Sequence, residues 1–177
     1  MTDRVLDIAL LSTGGTIEKT YDPLHGVLSN EVSVLEVLLA GLELEGVSLR
    51  HVELMKKDSL DMTDKDHGVI AATALAEAST SDGVIVVHGT DRLANTGDAI
   101  YDACGGAPPV PIVLTGAMRP WILRNSDAQQ NLTEALIAVQ LLAPGVFVCM
   151  HNHVLAFPGV VKDVANLRFV STRSAGA

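Results

Sequence analysis

Short, almost uninterrupted apolar runs alternate along this chain with longer segments that have a helical pattern. The apolar runs span residues 5–11, 47–54, 83–87, 110–114 and 146–150. Apolar runs without internal alternation are typical of strands covered on both faces, and strands that alternate with helices form parallel sheets. Because crossover connections are right-handed, the pattern predicts an α/β fold with a three-layer, doubly wound, mostly parallel sheet.

The helical patterns lie at residues 31–42, 64–79, 95–104 and 126–142. Asn30 and Thr63 stand where the first two helices need an N-cap, and Gly105 follows the end of the third helix. Residues 154–170 have a looser pattern, which predicts a strand pair or a loop. We therefore expect one domain over residues 1–170 and a short tail over residues 171–177.

Charge and aromatic content argue against nucleic-acid binding. The 177 residues carry a net charge of −9, whereas a protein that binds phosphates needs clustered Lys and Arg. Three Phe, two Tyr and one Trp are too few for a base-stacking surface. No apolar stretch reaches the length of a membrane span, and the segment after Met1 does not have the pattern of a secretory signal. We expect neither nucleic acid nor a membrane among the partners.

The cysteines and the hydropathy bear on location and assembly. Cys104 and Cys149 are too few for a disulfide framework and are expected to be reduced thiols, which favours a cytoplasmic location. Hydrophobic residues make up 48% of the chain, and the mean hydropathy of +0.33 is high for a monomer of this size. We therefore expect a homo-oligomer that buries the surplus apolar surface between subunits.

Residues that can carry chemistry follow the predicted strands, where ligands bind in doubly wound sheets. The first four runs lead into residues 12–16, 56–61, 88–91 and 115–119, which are rich in hydroxyl, carboxylate or glycine residues. Glycines at 14 and 15 allow backbone N–H groups to approach an anionic group, although an ordinary strand-to-loop turn has the same composition. Neither phosphate-binding glycine fingerprint is present, so a nucleotide site is not indicated.

Four motifs follow one another along the chain: Thr-Gly-Gly-Thr-Ile at 13–17, His-Gly-Thr-Asp at 88–91, Leu-Thr-Gly-Ala-Met-Arg-Pro at 114–120, and the segment 125–132. In their order and spacing they resemble the amino-terminal domain of the bacterial-type L-asparaginase family, over almost the whole chain. The resemblance implies an amidohydrolase that releases ammonia from L-asparagine, and weakly from L-glutamine. It also implies that no metal and no organic cofactor is needed.

The resemblance further implies which residues form the site. Thr16 matches the nucleophile, and Tyr21 matches the tyrosine of the mobile loop beside it. Thr90 and Asp91 match the second threonine and its aspartate, and Lys162 completes that group. The residues expected to bind the substrate are Asp58, Ser59, which holds the α-carboxylate, Gly89 and Ala117.

These residue types suit amide hydrolysis. A threonine hydroxyl is a weak nucleophile and needs a neighbouring base, a role expected for Lys162 if it lies partly buried near Thr90 and Asp91. Thr16 then attacks the side-chain amide, and backbone N–H groups at the turn of Gly89 and Thr90 stabilise the oxyanion by roughly 3–4 kcal/mol per donor. An acyl-enzyme forms and water releases aspartate, while Asp91 also binds the α-ammonium. The sequence leaves open which threonine attacks first.

Plainer roles are open for several of these residues. Tyr21 can be an ordinary loop residue, Lys162 a solvated surface lysine and Asp91 a helix N-cap. His151 and His153 alternate as a metal-binding pair would, but no cysteine or acid cluster completes a ligand set. For the whole chain, the alternatives are a module that binds aspartate or asparagine without turnover, and an ammonia-supplying amidase subunit of an amidotransferase.

Members of this family usually carry a second, smaller α/β domain, and we expect this chain to function without it. In relatives that domain supplies, from a neighbouring subunit, an acid that pairs with the loop tyrosine. The acids within plausible reach to replace it are Glu18, Asp22, Asp58 and Asp61. We expect weaker substrate binding and lower tolerance for glutamine than in two-domain relatives, and a Michaelis constant as low as theirs would contradict this.

Overall fold

The computed structural model of the protein describes residues 4–29 and 34–172. In this part of the chain the strands are β1 (Leu6–Gly14), β2 (Thr20–Asp22), β3 (Val27–Ser29), β4 (Val47–Lys57), β5 (Gly83–Val87), β6 (Pro111–Thr115), β7 (Gly145–Met150), β8 (His153–Ala156), β9 (Val160–Asp163) and β10 (Arg168–Ser171). Six of them form one sheet in the order β4-β1-β5-β6-β7-β8. All neighbouring pairs in this sheet are parallel except β7 with β8, which confirms the predicted mostly parallel sheet.

The helices of the described residues are α1 (Leu35–Ala40), α2 (Asp64–Ala78), α3 (Leu93–Ala103) and α4 (Ala128–Leu141). Thr63 caps α2 as predicted, in a capping box with Asp66 that satisfies backbone N–H groups at the start of the helix. Gly105, with a φ of +61°, follows the end of α3. Within residues 4–29 and 34–172, no helix combines the length and the apolar character that a membrane crossing requires.

Two apolar layers cover the two faces of the sheet and confirm the three-layer α/β architecture. Strand β5 shows why: Val84 and Val86 pack into one layer with α2 and α3, whereas Ile85 and Val87 pack into the other with α1 and α4. Successive side chains of a strand point to opposite faces, so a strand between two helical layers is apolar at every position. All five residues of β5 are buried.

The predictions for two elements are wrong. Residues 47–54 were expected to be covered on both faces, but β4 lies at the edge of the sheet and none of its residues is buried. The run 47–54 is in fact interrupted by Ser48, Arg50 and Glu53, which are exposed in the structure. This alternation of polar and apolar residues is typical of a strand that is only partly covered. The first helix spans six residues rather than the predicted 31–42, and its predicted cap, Asn30, lies outside the described residues.

Residues after β7 return along the same side of the molecule as α2 and α3. The antiparallel pair of β9 and β10, within the predicted segment 154–170, is anchored by Val160 and Phe169, which are buried in the layer that contains these helices. Phe157 packs against Gly97 of α3 so closely that a Cβ on this glycine would lie 2.0 Å from the ring. This anchoring fixes β9, and with it Lys162, above the carboxyl end of the sheet. Residues 173–177 of the predicted tail lie outside the described residues.

Candidate active site

The loop after β1 is built on two glycines with positive φ, Gly14 at +92° and Gly15 at +82°. A Cβ on Gly15 would lie 2.4 Å from both the Cα and the nitrogen of Gly89, so the two backbones are in direct contact. Only residues without a Cβ permit this approach. Thr16 follows as the first residue of a short 3-10 helix and is half-buried. The contact therefore brings the loop that carries Thr16 against the loop that carries Thr90.

Thr90, Asp91 and Lys162 are joined by hydrogen bonds. The Lys162 amine donates to Thr90 Oγ1 at 2.8 Å and to Asp91 Oδ1 at 2.7 Å. Thr90 is buried, and the side chains of Lys162 and Asp91 are 13% and 39% exposed. The plainer alternative of a solvated surface lysine does not describe this position, because the lysine is largely covered and bonds both predicted partners.

Ser59 lies beneath the same turn. A Cβ on Gly89 would be 2.6 Å from Ser59 Oγ, so the serine packs directly against the glycine. Ser59 is 1% exposed, and its hydroxyl has no hydrogen-bond partner among the described residues. A buried hydroxyl without a partner is costly, which points to a group that joins it when a ligand binds.

Asp58, the residue before Ser59, joins two loops through its hydrogen bonds. Its carboxylate accepts a bond from Lys19 at 2.5 Å and one from the backbone of Leu60 at 3.1 Å, where it caps the 3-10 helix that begins at Ser59. The bond from Lys19, opposed by partial burial and assisted by the Leu60 N–H, lowers the pKa of Asp58. The carboxylate is thereby kept ionised, and it ties the loop after β4 to the loop after β1.

Tyr21 is an exposed residue five positions after Thr16. It lies in β2, which pairs only with β3 in a short hairpin that the sequence did not predict. Its side chain is 60% exposed. The geometry of the described residues thus brings together Thr90, Asp91 and Lys162, with Gly89 and Ser59 beside them and the loop of Thr16 in contact. The catalytic role of Tyr21 stays a prediction.

Three of the four acids expected to pair with the loop tyrosine are engaged elsewhere. Glu18 is buried and accepts a bond from the Gly14 N–H at 2.9 Å. Asp22 bonds the His25 ring and the Leu24 N–H within the hairpin turn, and Asp58 bonds Lys19. Asp61 is exposed at the end of the 3-10 helix.

The loop after β6, which contains Ala117, is held by a buried carboxylate. Asp127 accepts bonds from the N–H groups of Met118 and Arg119, both at 2.9 Å, and from His151 at 2.7 Å. Burial acts to raise the pKa of Asp127, but the bonds from Met118, His151 and Arg119 outweigh it and hold the pKa below its usual range. Ala117 itself is fully buried in the apolar layer of α1 and α4. The substrate contact at this position stays a prediction.

Asp127 and its neighbour Asn131 hold the loop after β6, a role that sequence reasoning did not assign. The Asn131 amide donates to the Gly116 carbonyl and to Asp127, both at 2.9 Å, and its carbonyl accepts from the His151 N–H at 3.0 Å. The signal that could have found them is a polar pair spaced four residues apart on the buried face of a helix. No group of three or more His, Cys, Asp or Glu side chains that could hold a metal ion occurs among the residues the structure describes.

Comparison with known proteins identifies the family. The family model described as asparaginase, N-terminal, matches residues 7–169. The chain belongs to this asparaginase family. The predicted resemblance is confirmed over nearly the whole sequence, and the family's domain accounts for every strand of the central sheet.

Relatives of this asparaginase domain include proteins of two kinds. It is 33% identical to an L-asparaginase of Thermococcus kodakarensis over 160 residues, which are 89% of this chain and 48% of that protein. It is 41% identical to a subunit of the glutamyl-tRNA(Gln) amidotransferase of Pyrobaculum aerophilum over 138 residues, which are 76% of this chain and 32% of that protein. The asparaginase domain therefore spans about half, or less, of the length of these relatives.

Solved structures show the same fold. The thermostable L-asparaginase from Thermococcus kodakarensis matches with a TM-score of 0.83 at 28% identity, over 94% of this chain and 51% of that chain. A probable cytoplasmic L-asparaginase from Campylobacter jejuni matches with a TM-score of 0.75 at 28% identity and the same coverage. The asparaginase fold of this chain is thus shared with proteins about twice as long.

Proposed function

We propose that this chain hydrolyses the side-chain amide of L-asparagine to L-aspartate and ammonia, with Thr16 as the nucleophile. The observation that carries the proposal is the Lys162 amine, bonded at 2.8 Å to Thr90 Oγ1 and at 2.7 Å to Asp91 Oδ1. A lysine that is largely covered by protein and bonds a buried hydroxyl is suited to moving protons at that hydroxyl. Membership of the asparaginase family supports amide hydrolysis as the reaction class.

In the first step, the Thr16 oxygen attacks the amide carbon of the substrate. Lys162 donates to Thr90 Oγ1, so the hydroxyl proton of Thr90 is directed away from the lysine. In the proposed step, Thr90 accepts the Thr16 proton and passes its own to the departing nitrogen. The C–N bond breaks, ammonia leaves, and an aspartyl ester of Thr16 remains.

In the second step, a water molecule attacks the ester carbon. The Thr90 hydroxyl, backed by Lys162 and Asp91, takes a proton from the water, and a proton returns to the Thr16 oxygen as the ester bond breaks. The products are L-aspartate and a regenerated enzyme, so one water is consumed for each ammonia released.

The substrate is held by its two charged groups. The role proposed for Asp91, which is 39% exposed beside the turn, is to bind the α-ammonium. The role proposed for Ser59 Oγ, which has no partner among the described residues, is to donate to the α-carboxylate after rotation about its Cα–Cβ bond. With both ends fixed, the side-chain amide lies over Gly89 and Thr90, where backbone N–H groups can stabilise the oxyanion.

A second candidate is an ammonia-supplying subunit of an amidotransferase. The observation that favours it is the 41% identity over 138 residues to the Pyrobaculum aerophilum amidotransferase protein. Both candidates share the chemistry at Thr16 and Thr90 and differ in where the ammonia goes. An amidotransferase subunit is expected to release ammonia slowly alone and faster with its partner subunits, whereas an asparaginase needs no partner.

The test measures ammonia from L-asparagine and, separately, from L-glutamine. We expect turnover of asparagine by the wild-type chain and a loss of about 100-fold or more in Thr16→Ala and in Thr90→Val. Thr73→Val is the matched control, because Thr73 is a half-buried residue of α2 whose hydroxyl donates to the Val69 carbonyl within its own helix. Calorimetry with L-aspartate reports binding independently of turnover.

Each outcome separates the alternatives. Binding of aspartate without any ammonia from the wild-type chain would favour the module that binds without turnover. Ammonia release that is unchanged in both threonine variants would remove the proposed mechanism. A loss in both variants, with Thr73→Val unaffected, supports it.

A further inference from the structure

Two histidines and a threonine form a buried hydrogen-bonded row behind the turn of Gly89 and Thr90. His88 Nδ1 lies 2.8 Å from the Gly89 carbonyl oxygen, and His88 Nε2 lies 2.7 Å from Thr96 Oγ1. The same threonine oxygen lies 2.7 Å from His67 Nδ1. All three side chains are buried, and the two imidazole rings stack with their centroids 6.3 Å apart. The row connects α2 and α3 to the turn that follows β5.

The partners of these atoms fix the direction of every bond in the row. A carbonyl oxygen only accepts, so His88 Nδ1 carries a proton and donates to Gly89. Burial lowers the pKa of His88 to about 4, so the ring is neutral near pH 7 and its Nε2 is an acceptor. The Thr96 hydroxyl must then donate to His88 and accept from His67 Nδ1. The opposite direction would place a ring lone pair against the carbonyl oxygen.

The far end of the row is a buried acceptor without a partner. His67 Nε2 makes no hydrogen bond to any described residue and is closed off from solvent. Burial, assisted by the positive charge of Arg92 and opposed by Asp64 and Asp66, lowers the pKa of His67. Leaving such an atom unbonded costs free energy, so the arrangement is not explained by stability alone. Structures retain costs of this kind where function requires them.

The row ends at the peptide group between Gly89 and Thr90. The Gly89–Thr90 bond is not among the cis bonds of the described residues, so its carbonyl and the N–H of Thr90 point to opposite sides. Because the Gly89 carbonyl faces His88, the Thr90 N–H faces away from α2 and α3. Donation to a carbonyl also polarises the attached N–H and strengthens it as a donor.

We propose that His88, held by Thr96 and His67, positions and polarises the Gly89–Thr90 peptide so that the Thr90 N–H stabilises the oxyanion during amide hydrolysis. This inference rests on the proposed function. His88 and Thr96 are positioning residues, since they act through the peptide and do not touch the substrate. Their contribution is made in the transition state, so it affects kcat and not substrate binding.

The test removes one hydroxyl from the row and restores it. Thr96→Val keeps the shape of the side chain and breaks both bonds, whereas Thr96→Ser keeps the hydroxyl. We expect kcat for asparagine to fall about tenfold in Thr96→Val, less than the loss of a complete oxyanion donor, with KM unchanged. We also expect the Thr90 amide proton resonance to move upfield, and both readouts to return in Thr96→Ser.

Ile70→Val controls for stability, because Ile70 is buried on α2 and lies outside the row. It is expected to lower the unfolding temperature while kcat and the Thr90 resonance stay as in the wild type. In the wild-type protein, nitrogen-15 spectra are expected to show a proton on His88 Nδ1 and none on Nε2.

Three outcomes would overturn the inference: a proton on His88 Nε2, an unmoved Thr90 resonance in Thr96→Val, or wild-type kcat in that variant. If Thr96→Val does not fold, the protonation of His88 in the wild-type protein decides. If the wild-type chain releases no ammonia, the proposed function fails, and the Thr90 resonance and the His88 protonation still show whether the row acts on the peptide.

Discussion

Lowering the pH from 7.5 to 5 is expected to reduce the free energy of unfolding by about 2 kcal/mol through His88 alone. Burial, only partly offset by its bond to the Gly89 carbonyl, lowers the pKa of His88 from 6.5 to about 4 in the folded protein. Between these two values the unfolded chain binds a proton that the folded chain does not. Stability therefore falls as the pH falls through this window, by about 3 kcal/mol once the pH is below both values.

Other titratable groups also change the free energy of unfolding with pH, and the sign of each effect follows from the direction of its pKa shift. His67 has a pKa lowered by burial and adds to the loss in the same window. The pKa values of Asp58 and Asp127 are lowered, so their loss of stability begins only near and below the usual aspartate value of 3.8. Asp98 acts in the opposite direction, because burial raises its pKa and its protonation favours the folded state. Above pH 4, the loss of stability with falling pH is thus attributed mainly to His67 and His88.

Urea unfolding followed by circular dichroism at pH 7.5 and pH 5 measures the effect. The His88→Gln variant does not titrate and is expected to lose most of the pH dependence, whereas His153→Gln, at an exposed position, keeps it. Equal pH dependence in the wild type and in His88→Gln would refute the reasoning. So would an NMR titration that places the pKa of His88 near 6.5, a measurement that needs no variant.

Three further predictions concern the glycine contact, the buried carboxylate and the lysine. Gly15→Ala and Gly46→Ala both place an alanine at positive φ, but only Gly15 meets another backbone. Gly46→Ala should lower the free energy of unfolding by about 1 kcal/mol. Gly15→Ala should lower it clearly more and should also abolish ammonia release; equal losses in urea unfolding would contradict the contact between Gly15 and Gly89. Asp127→Asn should lower stability by about 2–3 kcal/mol, because a buried acceptor of several bonds loses its charge, and an unchanged urea midpoint would argue against this. Lys162→Met should reduce kcat about 100-fold or more and lower stability by about 1–2 kcal/mol, because the buried Thr90 hydroxyl loses a hydrogen bond; retained turnover in the folded variant would exclude the proposed role of Lys162 at Thr90.

Much of the fold could be read from the sequence because local pattern and burial agree there. Strand β5 is apolar at all five positions since helices cover both of its faces, and its predicted bounds are those observed. Strand β4, by contrast, contains the exposed residues Arg50 and Glu53, which indicate a partly exposed strand but not its neighbours, and it lies at the edge of the sheet. Strand order depends on which crossovers the whole chain makes, and no local pattern contains that information. The hairpin of β2 and β3 was missed because its strands are three residues long and largely exposed.

The candidate site was likewise predicted only in part. Motif resemblance named Thr90, Asp91 and Lys162, and the structure joins them, although 71 residues separate the lysine from the aspartate. The row behind the turn was not predicted, because His67, Thr96 and His88 come from three separate elements and each is ordinary in its own segment. Their bonds exist only once α2, α3 and β5 have packed together.

The position of Lys162 has a consequence for how the protein matures during synthesis. The parallel strands of the sheet are complete by Met150, the last residue of β7, and Thr16 and Thr90 come earlier in the chain. Lys162 comes later, in the pair of β9 and β10, which is anchored by Val160 and Phe169. A nascent chain that has left the ribosome only as far as Met150 already contains the whole parallel scaffold, but its Thr90 has no amine beside it. The lysine contact on which the proposed mechanism depends is therefore formed late, when β9 and β10 dock.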